Sequence, residues 1–327
     1  MNSMLDARRP DAATLPVIDV SGLSSSRSED RKAVGAALRA ACTDTGFFYC
    51  SGHGIPPGLI DAVFAQTRAL FNQPVEAKMT LEKSKASKCN RGYEVLGGQT
   101  LEAGAPPDRK EGYYIGLELS ADDPRVVAGR FNRGPNVWPK DLPGFKHTMS
   151  GYYQAMRSLS ELLMDGIALS LDLPENYFDS YKRDPIATLR LLHYPPQRKD
   201  AAPNEKGAGA HSDWGALTLL LQDDVGGLQV YDHKTGDWIH ADPIPGTFVV
   251  NLGDSLAHWT NDLYKSTQHR VVNVSGRERY SVPYFYDGEA DYEVTCIPTC
   301  LAPGETPKYA PITVEGHLMN MFKKTYA

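Results

Sequence analysis

Apolar residues recur every three or four positions through the first half of the chain and give way to short β-type runs after residue 174. Val34, Leu38 and Ala41 mark a helix over 29–42, and Leu59, Val63, Ala69 and Leu70 a second over 57–71. A shorter and more charged helix is expected over 73–88. The longest is expected over 147–171, where Tyr152, Met156, Leu159, Leu163, Ile167 and Leu171 fall on one side. Residues 15–19 and 47–50 read as strands, Gly52-His53-Gly54 as a break, and 89–107 as loop with one short strand.

Strand-like runs then follow at 188–194, 216–222, 228–231, 237–240, 247–251, 268–273, 280–286 and 292–297, separated by turn-rich segments such as 224–227 and 234–237. Runs this short and this close predict a closed or double-sheet β core with the earlier helices packed outside it, an α+β class. The expected organisation is a single unit over 1–327. It comprises a helical and loop region at about 15–130, a β core at about 185–290 and a helical tail at 300–327.

Composition removes several function classes. A formal charge of −6 opposes nucleic-acid binding through global positive charge. The longest strongly apolar stretch, 216–221, is far below the roughly 20 residues of a membrane helix. No signal-peptide pattern is visible at the N-terminus, and five cysteines without a C-x-x-C pair suit a reducing cytoplasm. Oligomeric state has no signature.

Nine histidines remain to be sorted. His211-x-Asp213 is a period-2 pair, so extended backbone would aim both side chains at one point. His269 lies in another β-type run, and ten residues later Arg279-x-Ser281 is again a period-2 pair. Two imidazoles and one carboxylate with positions left open form the facial triad of non-haem Fe(II) oxygenases. An arginine fork with a hydroxyl beside it suits the far carboxylate of a chelating cosubstrate. Zinc is another possibility for such a ligand set, but it leaves the Arg279/Ser281 pair without a purpose.

These motifs resemble those of the 2-oxoglutarate/Fe(II)-dependent dioxygenases, in the subgroup of isopenicillin N synthase and the plant flavonoid and gibberellin oxygenases. Gly46-Phe47-Phe48-Tyr49, His53-Gly54-Ile55-Pro56, Arg91-Gly92-Tyr93, Lys110-Glu111-Gly112-Tyr113 and Asn251-Leu252-Gly253-Asp254 extend the likeness over about 15–290. The resemblance implies a double-stranded β-helix (jelly-roll) core. It also implies Fe(II) on His211, Asp213 and His269, and 2-oxoglutarate on Arg279, Ser281 and Tyr194. O₂ would be the oxidant and ascorbate an accessory reductant, with hydroxylation, desaturation or ring closure of a small molecule as the outcome. The iron dication and Arg279 would balance one aspartate and a dianionic cosubstrate, leaving no net buried charge. Leu192 departs from the Asn-x-Tyr-Pro pattern of many relatives. An alternative within the subgroup is an oxidase that uses O₂ without 2-oxoglutarate, its substrate carboxylate held by Arg279, Ser281 and Tyr194. The chain lacks the C-terminal glutamine of such synthases.

Arg91, Tyr93, Arg190, Trp214, His258 and Phe285 are candidates for lining the substrate pocket, with specificity expected in loop 87–112 and in the tail after 311. Phe285 continues the face of Arg279 and Ser281, and Trp214 follows a ligand directly. His53, His147, His193, His233, His240 and His317 read as structural or exposed, and Asp254 as a structural hydrogen-bonding residue.

Overall fold

The computed structural model describes residues 5–9, 15–198, 200–202 and 204–326; the N-terminal stretch read above and the end of the C-terminal tail lie partly outside them. Its first elements are β1 (Val17–Asp19), α1 (Ser28–Asp44), β2 (Phe47–Ser51), α2 (Pro57–Phe71), α3 (Val75–Met79) and α4 (Lys83–Ala86). Then come β3 (Gly92–Glu94), β4 (Glu111–Gly116), the single-turn α5 (Pro124–Val127) and the 26-residue α6 (Phe145–Ser170). The rest is largely β: β5 (Pro185–Tyr194), β6 (Ala208–His211), β7 (Leu217–Gln222), β8 (Leu228–Asp232), β9 (Asp237–His240) and β10 (Phe248–Leu252). After α7 (Asp254–Trp259) follow β11 (His269–Val271), β12 (Arg279–Glu289), β13 (Glu293–Val294), β14 (Ile312–Thr313) and α8 (Val314–Tyr326).

Eight strands form one sheet in the order β1-β2-β10-β7-β12-β5-β4-β3, and four form a second in the order β6-β11-β8-β9. The sheets stay open rather than closing into a barrel. Period-2 alternation along β12 puts its even-numbered side chains on one face of the large sheet. Tyr280, Val282, Tyr284 and Tyr286 join the larger core with Met149, Tyr152, Met156 and Leu163 of α6. On the other face Leu192 and Tyr194 of β5 pack with Leu228, Val230 and Val271 of the smaller sheet. Polar residues of the large sheet that point between the sheets therefore face a shared, water-poor interior.

Three expectations change. The helix over 73–88 is two short helices, because the carbonyl of Leu81 accepts from Tyr93 N at 2.8 Å and draws the chain toward β3. Beyond the expected strands at β1, β2 and β3, the region before 130 also carries β4, and all four join the large sheet. β4 was hidden because its residues are buried throughout, which removes the alternation that marks a half-exposed strand. The run at 292–297 shrinks to β13, since Ile297 N donates to the carbonyl of Trp259 at 2.7 Å. No helix among the described residues is long and apolar enough to cross a membrane.

Candidate metal centre and active site

Antiparallel pairing of β6 with β11 sets His211 directly opposite His269, and their ring centroids are 4.3 Å apart. Asp213 lies just beyond the end of β6. Its Oδ1 is 3.9 Å from Nε2 of His211 and 3.8 Å from Nε2 of His269. The three groups offer ligand atoms that all lie within 4.8 Å of one another. Nδ1 of His211 donates to the carbonyl of Gly209 at 2.8 Å, and Nδ1 of His269 to that of Thr267 at 3.3 Å. Holding the proton on Nδ1 leaves each Nε2 lone pair aimed at the common point.

The second oxygen of Asp213 is occupied. Oδ2 accepts from Thr218 Oγ1 at 2.6 Å and from Asn251 Nδ2 at 2.8 Å, which turns Oδ1 toward the imidazoles. Thr218 and Asn251 are register partners on β7 and β10, and the same cross-sheet row runs on to Phe285 and Thr188. Phe47, opposite Asn251, sets its ring 5.5 Å from that of His269. Burial pushes His211 down to about 3, with His269 adding to the effect, so its imidazole is neutral. Burial acts to raise Asp213, but the two imidazoles and the Asn251 and Thr218 hydrogen bonds outweigh it, and its carboxyl lies below the ordinary value. Neutral nitrogens and an ionised carboxylate are the forms that bind a metal.

Arg279 is fully buried on the same inner face. Its Nε donates to the carbonyl of Gly226 at 2.6 Å and its Nη1 to Ser281 Oγ at 3.2 Å. Its guanidinium lies over the ring of Tyr194, its register partner, 4.7 Å from the centroid. Among the described residues it forms no ion pair. A buried guanidinium held by neutral partners fits a bound carboxylate.

A cavity opens beside the triad. Its walls include Trp214, Phe285, Arg190, Thr188, Asn132 and Asp287, with Asn90 just before β3, Gln99 and Leu101 from the loop before β4, and Leu318 and Phe322 from α8. Of the six residues expected to line it, Arg190, Trp214 and Phe285 do. Arg91, Tyr93 and His258 lie outside that lining. Arg91 braces it from behind, donating to the carbonyls of Cys89 at 2.9 Å and Asn132 at 2.6 Å. Tyr93 points to the opposite face and donates to Glu111 at 2.5 Å. His258 stacks on Tyr309 at 4.0 Å.

Sequence reasoning missed Thr218, Asn251 and Asp287. The signals were present: a threonine within an apolar strand run, an asparagine ending another, and an aspartate continuing the odd-numbered face of β12. His317, read as structural, bonds the carbonyl of Trp214 at 2.9 Å, in the loop that carries Asp213. Asp254 is structural, accepting from Ser266 Oγ at 2.6 Å.

Arg190 pairs with Glu94, donates to Gln99 at 3.1 Å and lies over the ring of Tyr114. Burial acts to raise Glu94, but Arg190 and Lys83 outweigh it and hold the carboxyl at about 2. A folded-state value below the ordinary 4.5 stabilises the fold above pH 4.5, and that contribution is lost as pH falls from 4.5 toward 2. Glu94→Gln is expected to destabilise the protein by roughly 3 kcal/mol at pH 7 and by much less at pH 3. Denaturant titrations at the two pH values measure the difference.

An inner-face His₂Asp set beside an unpaired arginine defines a mononuclear non-haem metal enzyme. Residues 15–141 match the family model described as the non-haem dioxygenase in morphine synthesis N-terminal, and 185–288 that of the 2OG-Fe(II) oxygenase superfamily. The chain is 44% identical over 315 residues to the 2-oxoglutarate-Fe(II) type oxidoreductase hxnY of Emericella nidulans, covering 95% of this chain and 90% of that one. It is 41% identical over 324 residues to the 2-oxoglutarate-dependent dioxygenase citB of Monascus ruber, with 95% of each covered. The crystal structure of a full-length Neurospora crassa protein in complex with alpha-KG and thymine superposes with a TM-score of 0.84 at 32% identity, covering 98% of this chain and 99% of that one. The chain belongs to the 2OG-Fe(II) oxygenase superfamily. It is an Fe(II)/2-oxoglutarate-dependent dioxygenase with a jelly-roll core, and both of these fungal relatives are named for 2-oxoglutarate.

Proposed function

We propose that His211, Asp213 and His269 hold the iron, that Arg279, Ser281 and Tyr194 receive the far carboxylate of 2-oxoglutarate, and that the adjoining cavity takes a small planar substrate. The convergence of both Nε2 atoms on one oxygen of Asp213 carries this reading. Iron, 2-oxoglutarate and O₂ together supply oxidative decarboxylation to succinate and CO₂, coupled to oxidation of the substrate. The chain's own residues do the rest. Thr218 and Asn251 orient the ligand carboxylate, Arg279 neutralises and aligns the cosubstrate, and the aromatic walls exclude water. Thymine, bound by the Neurospora relative, is the size and shape of ligand that these walls suit. Five free cysteines support a reducing, cytoplasmic setting, and ascorbate belongs to this reading as reductant.

Succinate formed from 2-oxoglutarate by the Fe(II) protein, with and without thymine, tests the substrate class. Stimulation of several-fold supports it. Unstimulated turnover with every small planar compound tried would remove it. Thr218→Val keeps the side-chain shape but removes one of the two donors to Oδ2 of Asp213, and iron affinity is expected to fall roughly 10–100-fold in a chelator-competition titration.

A further inference from the structure

Along the inner face of β12 the side chains run Arg279, Ser281, Phe285, Asp287. At about 3.4 Å per residue, Asp287 stands far down the strand from Arg279. Phe285 lies between them, in register with Thr218 and so beside the metal-ligand loop. One strand thus carries the cosubstrate arginine on one side of the triad and a carboxyl on the other.

That carboxyl is held with care. The β12–β5 register slips between Tyr286 and Gly288, a bulge that re-aims the residue at its centre. Gly288 has φ +85°, and a Cβ there would sit 1.9 Å from the ring of Tyr181. The hydroxyl of the same tyrosine donates to the backbone carbonyl of Asp287 at 2.6 Å. Across the gap, a Cβ on Gly215 would meet Oδ1 of Asp287 at 1.9 Å, so this glycine leaves room for the carboxyl against the metal-ligand loop. Asp287 is 7% exposed and lines the cavity, yet among the described residues no donor hydrogen-bonds its carboxyl oxygens. Every other buried carboxylate of the cavity region has its donors: Asp213 has Thr218 and Asn251, and Glu94 has Arg190 and Lys83. A buried carboxyl without a donor is costly unless a ligand supplies one.

We propose that Asp287 is the substrate-reading residue, accepting a hydrogen bond from an N–H or O–H on a compact aromatic ring that packs between Trp214 and Phe285. The inference rests on the cavity being the substrate site, and it names the chemistry that site selects. Tyr181 and Gly288 act as positioning residues, since they fix the backbone that aims the carboxyl.

The probes are thymine, 2-pyridone and 4-methylphenol, each beside its N- or O-methylated counterpart. Binding to the anaerobic Fe(II)·2-oxoglutarate protein is followed by quenching of tryptophan fluorescence, and turnover by succinate. Wild type is expected to bind at least one donor-bearing ring roughly 10–100-fold more tightly than its methylated form. Asp287→Ala should abolish that preference and raise KM far more than it lowers kcat. Asp287→Asn, which keeps an acceptor oxygen, should restore part of it. 2-Oxoglutarate binding, measured first in each protein, should be unchanged. A preference that survives in Asp287→Ala overturns the proposal. So does failure of every ring to bind while 2-oxoglutarate still binds. Failure of 2-oxoglutarate itself to bind wild type would instead strike the cosubstrate assignment to Arg279.

Discussion

Asp213→Ala is expected to leave a folded protein that no longer retains iron. The carboxylate is the only anionic member of the triad, and both imidazoles face its Oδ1. The loss in affinity should exceed the roughly 10–100-fold that follows removal of a supporting partner. Two neutral donors, Thr218 and Asn251, would be left facing the gap, a cost of about 1–3 kcal/mol each. Asp213→Asn is expected to fare little better. If its amide oxygen meets Thr218 and Asn251, its NH₂ group points at the metal position; if reversed, it opposes both donors. Iron per chain after dialysis, read beside a thermal melt, separates loss of the site from loss of the fold. Retention of near-stoichiometric iron in either variant would exclude Asp213 as a ligand.

Arg279→Ala is expected to have the opposite profile, with iron kept and cosubstrate lost. Breaking a desolvated charge pair by removing one partner costs about 3–5 kcal/mol, which is on the order of a hundred- to several-thousand-fold in Kd. The arginine is also anchored by Gly226 and laid against Tyr194, so Arg279→Lys would lose the fork and the stacking while keeping the charge. It should fall between wild type and alanine. Calorimetric titration of 2-oxoglutarate into each iron-loaded protein gives the order. Equal loss of iron and cosubstrate in Arg279→Ala would show that the residue supports the whole inner face rather than the ligand.

The triad and the arginine were legible because period-2 spacing survives translation into strands: Arg279, Ser281 and Phe285 do share a face, and His211 and Asp213 do converge. The helices at 29–42, 57–71 and 147–171 were legible for the matching reason, an apolar stripe that has one core to meet. What stayed hidden depends on register between distant strands. Nothing local links Thr218 to Asn251, or Phe47 to His269; the pairing of β7, β10 and β2 does. The same holds for the pocket candidates. Arg91 and Tyr93 sit in a segment that resembles the family, but local likeness does not say which face of β3 a side chain takes. Arg190 and Tyr93 were both pocket candidates, and only the alignment of β4 between β3 and β5 sends one inward and the other toward Glu111.

The joint assignment of metal and cosubstrate is tested most directly by adding 2-oxoglutarate, without O₂, to the Fe(II)-loaded protein and recording the visible spectrum. Bidentate chelation on a three-ligand iron predicts a weak charge-transfer band in the wild type. It predicts no band in Asp213→Ala at any cosubstrate concentration, and a band in Arg279→Ala only at far higher concentration. A wild-type protein that holds iron and binds 2-oxoglutarate without developing the band would contradict the account.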